Sequence, residues 1–294
     1  MKVLVIGSNG QVGMSLRYVL DNSGYDIFFS TKKDINISDL EMTRNEILKL
    51  SPNVIINASA YTNVDMAESQ KQRANLINNV AVENLANISF ERNIFLIHIS
   101  TDYVFDGCSY NPYYEDDKTN PINVYGKTKL DGENSIIRSG CNYLILRTSS
   151  VFSIFGDNFL KKIIKLGQER EKIDIIDNQF SSPTFSNDIA LTIKKLLQII
   201  KQKKISSDIL NYTGNFQCSW YEFTNVIFDE TKKIGCEIKS KLHPICHSEF
   251  QTKTKRPSYS VLNCSKIKNL YNIDRSDTRE GIKSTLKELL PIND

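Results

Sequence analysis

Val3-Leu4-Val5-Ile6-Gly7-Ser8-Asn9-Gly10-Gln11-Val12-Gly13 is the stretch that decides the fold. Its apolar run, rich in β-branched residues and closed by a glycine, has the pattern of a strand buried on both faces of a parallel sheet. Gly7, Gly10 and Gly13 follow with the spacing G-x-x-G-x-x-G, and a helix is predicted from about Gln11 to Asn22. A glycine-rich turn between strand and helix lets backbone amides approach a pyrophosphate, and the helix N-terminus adds partial positive charge. The spacing alone fits a plain tight turn equally well. Its place behind the first buried strand is what points to a dinucleotide.

Short apolar runs recur at Asp26 to Phe29, Val54 to Asn57, Ile94 to Ile99, Tyr143 to Leu146, Ile173 to Ile176 and Ile209 to Tyr212. Amphipathic segments lie between most of them, at Ser38 to Lys49, Asn75 to Arg92, Asn158 to Arg170 and Asn187 to Lys201. This alternation predicts an α/β fold with a Rossmann-type doubly wound parallel sheet. After Gly214 the rhythm changes to a helical stretch from Ser219 to Ile234, a basic segment Lys253-Thr254-Lys255-Arg256-Pro257 and a last helix from about Asp277 to Leu290. The expected division is a dinucleotide-binding domain of residues 1–148 plus about 180–205, and a smaller C-terminal α/β substrate lobe of about 149–179 plus 206–294. A substrate cleft is expected between them.

The chain has 294 residues, enough for a large core, and its 37 Lys+Arg against 34 Asp+Glu leave a formal net charge of +3. That near-balance argues against a nucleic-acid binder. After Met1-Lys2 only four apolar residues precede Gly7, too few for a secretory segment or a membrane span, so a cytoplasmic protein with no membrane partner is expected. Cys108, Cys141, Cys218, Cys236, Cys246 and Cys264 form no C-x-x-C pair and read as reduced thiols. His243 and His247 with Cys246 lack the acid or second cysteine of a zinc set, so no metal is expected.

Tyr125-Gly126-Lys127-Thr128-Lys129 places a phenol and an ammonium four residues apart, on one face of a helix. A free tyrosine titrates near about 10, so a tyrosine acting as an acid near neutral pH needs a cation to stabilise its phenolate, and Lys129 is placed to supply it. Thr101, in Ser100-Thr101-Asp102 at the end of a strand, offers a second hydroxyl to a carbonyl oxygen. The end of the second strand, Phe29-Ser30-Thr31-Lys32-Lys33, has no acid to hold a ribose 2′-hydroxyl. Ser30 and Thr31 with the two cations suit a 2′-phosphate, which favours NADPH over NADH, although the lysines read equally as solvated loop charges. His98 sits in an apolar run and reads as a satisfied core residue. Arg256 reads either as a clamp for a diphosphate or as a surface cation.

These segments, with Asn57-Ala58-Ser59-Ala60-Tyr61-Thr62-Asn63-Val64-Asp65, Ser100 to Gly107, Asn123 to Lys129, Leu146-Arg147-Thr148-Ser149, Asn158-Phe159, Pro183-Thr184 and Arg256-Pro257, resemble the extended short-chain dehydrogenase/reductases. Within them the chain is similar, nearly end to end, to the dTDP-4-dehydrorhamnose reductase group. The resemblance implies that NAD(P)H delivers hydride to C4 of a nucleotide-linked 4-dehydro-6-deoxy sugar, in surface polysaccharide synthesis. It makes Tyr125 the proton donor, Lys129 the residue that lowers its pKa and holds the nicotinamide ribose, and Thr101 the group that orients the keto oxygen. The cofactor residues it implies are Gly7, Asn9, Gly10, Gln11, Val12, Gly13, Asn36, Ile37, Ala58, Ser59 and Ala60. The implied substrate residues are Thr101, Asp102, Val104, Ser150, Asn158 and Arg256. A homodimer is the expected assembly.

Three positions depart from the group. Ser150 stands where a tryptophan is common beside the sugar, Gln179-Phe180-Ser181-Ser182-Pro183-Thr184 lacks its usual glycine, and Asn36 replaces an adenine-contacting aspartate. Two other functions share the scaffold. A nucleotide-sugar epimerase or dehydratase regenerates its cofactor each turnover, and a regulatory relative binds it without turnover; the intact Thr101, Tyr125 and Lys129 argue against the second.

Overall fold

The N-terminal run forms strand β1 (Lys2–Ile6), and Val3, Leu4, Val5 and Ile6 are fully buried in the computed structural model. The structure describes residues 1–290 apart from residues 22, 203, 204, 251 and 253. The expected helix end at Asn22 and the basic residue Lys253 therefore lie outside the described residues. After β1 come β2 (Asp26–Ser30), β3 (Val54–Asn57), β4 (Phe95–Thr101) and β5 (Tyr143–Thr148). The short strands β6 (Val151–Phe152), β7 (Lys172–Ile176), β8 (Phe180–Ser181) and β9 (Thr184–Phe185) follow, then β10 (Asp208–Asn211). Six of these make one sheet in the order β10-β5-β4-β3-β1-β2, with every neighbouring pair parallel. The strand order reverses between β1 and β3, where a doubly wound sheet opens its ligand crevice.

Apolar helix faces cover both sides of the sheet. On one side, Leu16 and Leu20 of α1 (Gln11–Leu20) share a core with Val3, Val5, Ile56, Ile97 and Leu146. On the other, Ile47 of α2 (Leu40–Leu50) lies among Leu4, Ile6, Ile55, Leu96 and Ile145. The chain after β3 makes α3 (Val64–Ser69), α4 (Lys71–Asn75) and then a π-helical turn, Leu76–Val80, before α5 (Ala81–Glu91). The helix expected from Asn75 thus begins with a widened turn. Asn78 within it takes a hydrogen bond from the Tyr61 amide at 2.8 Å and donates to the Tyr61 carbonyl at 3.1 Å.

Helix α6 (Val124–Ser139) carries Tyr125 and Lys129, and several side chains fix where it starts. The Asn123 side chain caps it by accepting from the Gly126 amide at 2.8 Å. Glu68 of α3 accepts from the Val124 amide at 2.8 Å, which places negative charge at the positive end of the helix. At Gly126 a Cβ would collide with the Tyr103 carbonyl oxygen, so only glycine lets the helix settle on the 3₁₀ turn Asp102–Val104.

Farther along α6, Glu133 forms an ion pair with Arg147 of β5 at 2.7 Å, and both side chains are almost completely buried. Ser100 of β4 donates to Glu133 at 2.5 Å, and Arg147 Nη1 donates to the Glu115 carbonyl at 3.0 Å. The sheet register sets Ser100 directly beside Arg147, so one carboxylate ties α6 to two adjacent strands.

The strand Lys172–Ile176 does not enter the main sheet; it pairs in parallel with β12 (Lys241–Ile245), while β11 (Cys218–Ser219) pairs with β8. The helices α7 (Phe159–Glu169) and α9 (Trp220–Lys233) bury Leu160, Ile163, Phe223 and Ile227 with Phe152 in a separate core. The α8 helix (Ser186–Lys201) returns to the main sheet, and Ile189, Ile193 and Leu197 pack against the α1 side. The short α10 (Ser265–Tyr271) joins that same side through Ile267, and α11 (Thr278–Leu289) closes the separate core with Ile282 and Leu286. The expected division puts residues from about 206 in the substrate lobe, but β10 hydrogen-bonds to β5 and continues the main sheet to Asn211. Among the described residues no helix is long and apolar enough to cross a membrane.

The Glu133–Arg147 pair gives the first prediction. Arg147→Leu leaves a buried carboxylate without its cation and should lower unfolding stability by about 3–5 kcal/mol, measured by urea titration. A loss below about 1 kcal/mol would show that the pair does not hold α6 to the sheet.

Candidate active site

Gly7 ends β1 with φ at +82°, a backbone geometry that disfavours any side chain, and a Cβ there would lie 2.7 Å from the Ser59 amide nitrogen. The Gly7 and Ser8 amides donate to the Ser30 carbonyl at 3.1 and 3.0 Å, which closes the turn. Gly10 caps α1 without a side-chain hydrogen bond, so the first amides of the helix are left for a ligand. A cavity of about 920 Å³ opens here, at the reversal between β1 and β3. Gly7, Asn9, Gly10, Gln11 and Val12 line it from the turn, Lys32, Asn36 and Ile37 from the segment after β2, and Ala58, Ser59 and Ala60 from the segment after β3. The glycine turn, the uncapped helix start and this volume fit a dinucleotide.

Thr101, Asp102, Tyr125, Lys129, Ser150 and Arg256 line the same cavity. Burial pushes the Tyr125 phenol up to about 12; the Thr101 hydroxyl opposes this, and the Asp102 carboxylate adds to it. The Tyr103 ring stands edge-on to Tyr125, with centroids 5.8 Å apart. Lys129 is brought down to about 8 by burial, with Glu133 resisting the shift. Its Nζ donates to the Ile99 carbonyl at 2.6 Å and lies 3.0 Å from His98 Nε2. The Lys129 amine is turned toward β4, and the Thr101 hydroxyl is the group whose hydrogen bond favours the Tyr125 phenolate. His98 is buried and satisfied, as a core residue should be, but its partners are Lys129 and Asn57.

Asp102 accepts hydrogen bonds from Thr101 at 3.1 Å, Ser149 at 2.8 Å and Ser260 at 2.5 Å. Burial outweighs these bonds and raises the carboxyl to about 6. Because Ser260 belongs to the C-terminal segment, the carboxylate links the end of β4 to the other half of the cavity wall. Arg256 pairs with Asp65 at 3.0 Å, while its buried Nε has no partner among the described residues. Thr148 Oγ1, also in the wall, is likewise buried and unpartnered.

Five expected site residues do not line the cavity. Gly13 faces Gly7 and Ser8 instead. Ser30 is buried behind the turn, and Thr31 holds the Asp34 carboxylate through its amide at 2.8 Å and its hydroxyl at 2.7 Å. An acid therefore does stand near the end of β2, but it is engaged with Thr31. Val104 is wholly buried beside Phe105, Tyr113 and Leu262. Asn158 caps α7 and donates to Gln11 Oε1 at 3.1 Å, so it braces the glycine turn from behind. The sequence reading missed Trp220, Tyr61 and Arg73 in the wall. Trp220 is the only tryptophan in the chain and starts a strongly capped helix, the one signal that marked it.

Nicotinamide-dependent oxidoreduction on a short-chain dehydrogenase scaffold is the class of protein that this sheet and cavity define. The sequence profile described as RmlD substrate binding domain matches residues 1–290, and the chain belongs to that family. A dTDP-4-dehydrorhamnose reductase of Aggregatibacter actinomycetemcomitans is 35% identical over 287 residues, covering 96% of this chain and 97% of that protein. The crystal structure of a dTDP-4-dehydrorhamnose reductase ortholog from Clostridium acetobutylicum superposes with a TM-score of 0.91 at 32% identity, covering 98% of this chain and 99% of that one. The Bacillus anthracis dTDP-4-dehydrorhamnose reductase, solved in complex with NADP, gives 0.90 at 32% identity, with the same shares covered. Such end-to-end likeness to reductases does not favour the epimerase or dehydratase alternative.

The Asp102 carboxyl supplies a pH test. Its folded value of about 6 lies above the ordinary aspartate value of about 3.9, so the stability it contributes is full at low pH and is lost as pH rises through about 6. Wild type should lose stability relative to Asp102→Asn between about pH 4 and pH 6, with a constant difference above that window, as read from thermal unfolding. A difference that does not change across the window would refute the raised carboxyl.

Proposed function

We propose that the protein uses NADPH to reduce the C4 keto group of a nucleotide-linked 4-dehydro-6-deoxy sugar, converting dTDP-4-dehydro-L-rhamnose to dTDP-L-rhamnose for surface polysaccharide synthesis. The observation that carries this reading is that Tyr125 and Thr101 share one cavity with the glycine turn and with Arg256. NADPH held in this cavity would supply the hydride. The Thr101 hydroxyl holds the keto oxygen, and Tyr125 Oη gives it a proton as negative charge develops there. Since burial holds the phenol near about 12, it keeps its proton until that charge appears. The buried, unpartnered Nε of Arg256 suits a diphosphate oxygen. Trp220 and Tyr61 offer apolar walls to the nucleotide sugar. In this reading β10 counts with the dinucleotide-binding part, and the residues around α7, α9 and α11 form the substrate lobe.

NADPH is favoured over NADH because Lys32 lines the cavity while the Asp34 carboxylate is held by Thr31. An acid free to bond a ribose 2′-hydroxyl would repel a 2′-phosphate, and a cation attracts it.

Spectrophotometry of NADPH with dTDP-4-dehydro-L-rhamnose tests both points. The parent protein should consume NADPH in equal amounts with the sugar, and Tyr125→Phe should lose at least about a hundredfold in kcat, the size of a general-acid contribution. A Phe variant as fast as the parent would remove Tyr125 from the chemistry, and no net NADPH consumption would remove the reductase. Lys32→Ala should raise KM for NADPH by about tenfold, the scale of one charged hydrogen bond, and leave KM for NADH unchanged. Equal effects on the two cofactors would assign Lys32 no part in the choice.

A further inference from the structure

Asn57, His98 and Lys129 form a buried hydrogen-bonded chain beneath the cavity, and its donors and acceptors can be counted. The register pairs Asn57 of β3 with His98 of β4, so the two side chains project together toward α6. Asn57 Oδ1 accepts from the Ser59 amide at 3.1 Å and from the Ser59 hydroxyl at 2.5 Å. Reversing the amide would set its NH₂ against the Ser59 backbone N–H, two donors face to face, so the orientation is fixed. Asn57 Nδ2 must then donate to His98 Nδ1, 3.1 Å away. A neutral imidazole has one acceptor nitrogen and one N–H. With Nδ1 accepting, Nε2 carries the hydrogen and points at Lys129 Nζ, 3.0 Å away. An ammonium there would oppose a donor with a donor. An amine resolves the conflict: its lone pair accepts from His98, and one of its own N–H groups donates to the Ile99 carbonyl at 2.6 Å.

We propose that Asn57 and His98 hold Lys129 as an uncharged amine in the cofactor-free enzyme, His98 acting as a positioning residue through its Nε2–H. The ionisable groups around this chain are consistent with that state. Burial depresses both His98 and Lys129 in the direction of their neutral forms, but burial alone leaves Lys129 near about 8, mostly charged at neutral pH, so it is the donor count at His98 that selects the amine. Glu133 lies one turn along α6 and favours the ammonium, but its carboxylate is already matched to Arg147 and Ser100. Asp102 and Tyr125 are each raised by burial, toward their protonated forms. Such an enzyme keeps its tyrosine fully protonated before cofactor arrives, because no cation stands ready to stabilise the phenolate. The inference rests on the proposed function only in that Lys129 lines the cavity read as the cofactor site, and its test reads the imidazole directly and is independent of any sugar.

The chain has three histidines, so full-length protein labelled with ¹⁵N-histidine gives a tractable long-range ¹H–¹⁵N correlation spectrum. The His98 signals, identified by their loss in His98→Gln, should show the neutral Nε2–H tautomer throughout the range from about pH 6 to about pH 8, beginning below the ordinary histidine value. An Nδ1–H tautomer or an imidazolium would overturn the proposal. Asn57→Asp replaces the donor with an oxygen of the same shape and should invert the chain: His98 becomes Nδ1–H, and the Lys129 titration, followed by ¹⁵N-lysine signals, moves up by at least a factor of ten in proton affinity. A folded Asn57→Asp protein that keeps Nε2–H would also overturn it. If that variant does not fold, the wild-type tautomer still decides. Wild-type protein with the Nε2–H tautomer but no NADPH oxidation would refute the reductase and leave this chain intact.

Discussion

Ionisable side chains on the sheet-facing side of α6 are the constraint that the rest of the structure answers. Lys129 and Glu133 are both buried there, and an isolated charge at such a depth is costly unless it is paired or neutralised. Glu133 is satisfied by pairing with Arg147 and Ser100. Among the described residues Lys129 has no carboxylate within hydrogen-bond reach and meets instead a carbonyl and an imidazole. The two solutions pin the helix at successive turns, and so determine where Tyr125, one turn before Lys129, meets the cavity.

The cavity follows from how the two parts of the chain are tied together. The sheet contributes the ends of β1, β3 and β4, and the C-terminal segment contributes Arg256 to the wall and Ser260 as a support bonded to Asp102. Polar contacts bridge the parts at Asp65–Arg256, Asp102–Ser260 and Gln11–Asn158. In each bridge one partner lines the cavity (Arg256, Asp102 and Gln11) and the other stands outside the lining, so groups that face a ligand are held from behind. This accounts for the placing of Asn158: its work is to steady Gln11 in the glycine turn.

Much of this was legible in the sequence because it depends on local rules. The apolar runs gave the parallel strands, the glycine turn gave the dinucleotide end, and the spacing of Tyr125 and Lys129 gave their common helix face. Contacts set by distant partners were not legible. Ser30 and Thr31 are turned from the cavity by a carbonyl bonded to the glycine turn and by Asp34, which lies just beyond the stretch read for an acid. Val104 looks like its neighbours in sequence but is drawn under by Phe105 and Leu262. Ile173–Ile176 has the composition of a main-sheet strand, yet it pairs with β12, whose sequence includes Pro244 and shows no clear strand pattern. The direction of the Lys129 amine depends on the Asn57–His98 register, which no helix-face argument contains.

Where α6 crosses the 3₁₀ turn, two stretches of main chain touch with no side chain between them, because Gly126 presents only hydrogen to the Tyr103 carbonyl. A single methyl group would act as a shim there, lifting the front of the helix off its seat. The reach of the neighbouring phenol is therefore machined by an omission: the depth of the pocket floor is gauged against bare backbone, which has no rotamers with which to give way.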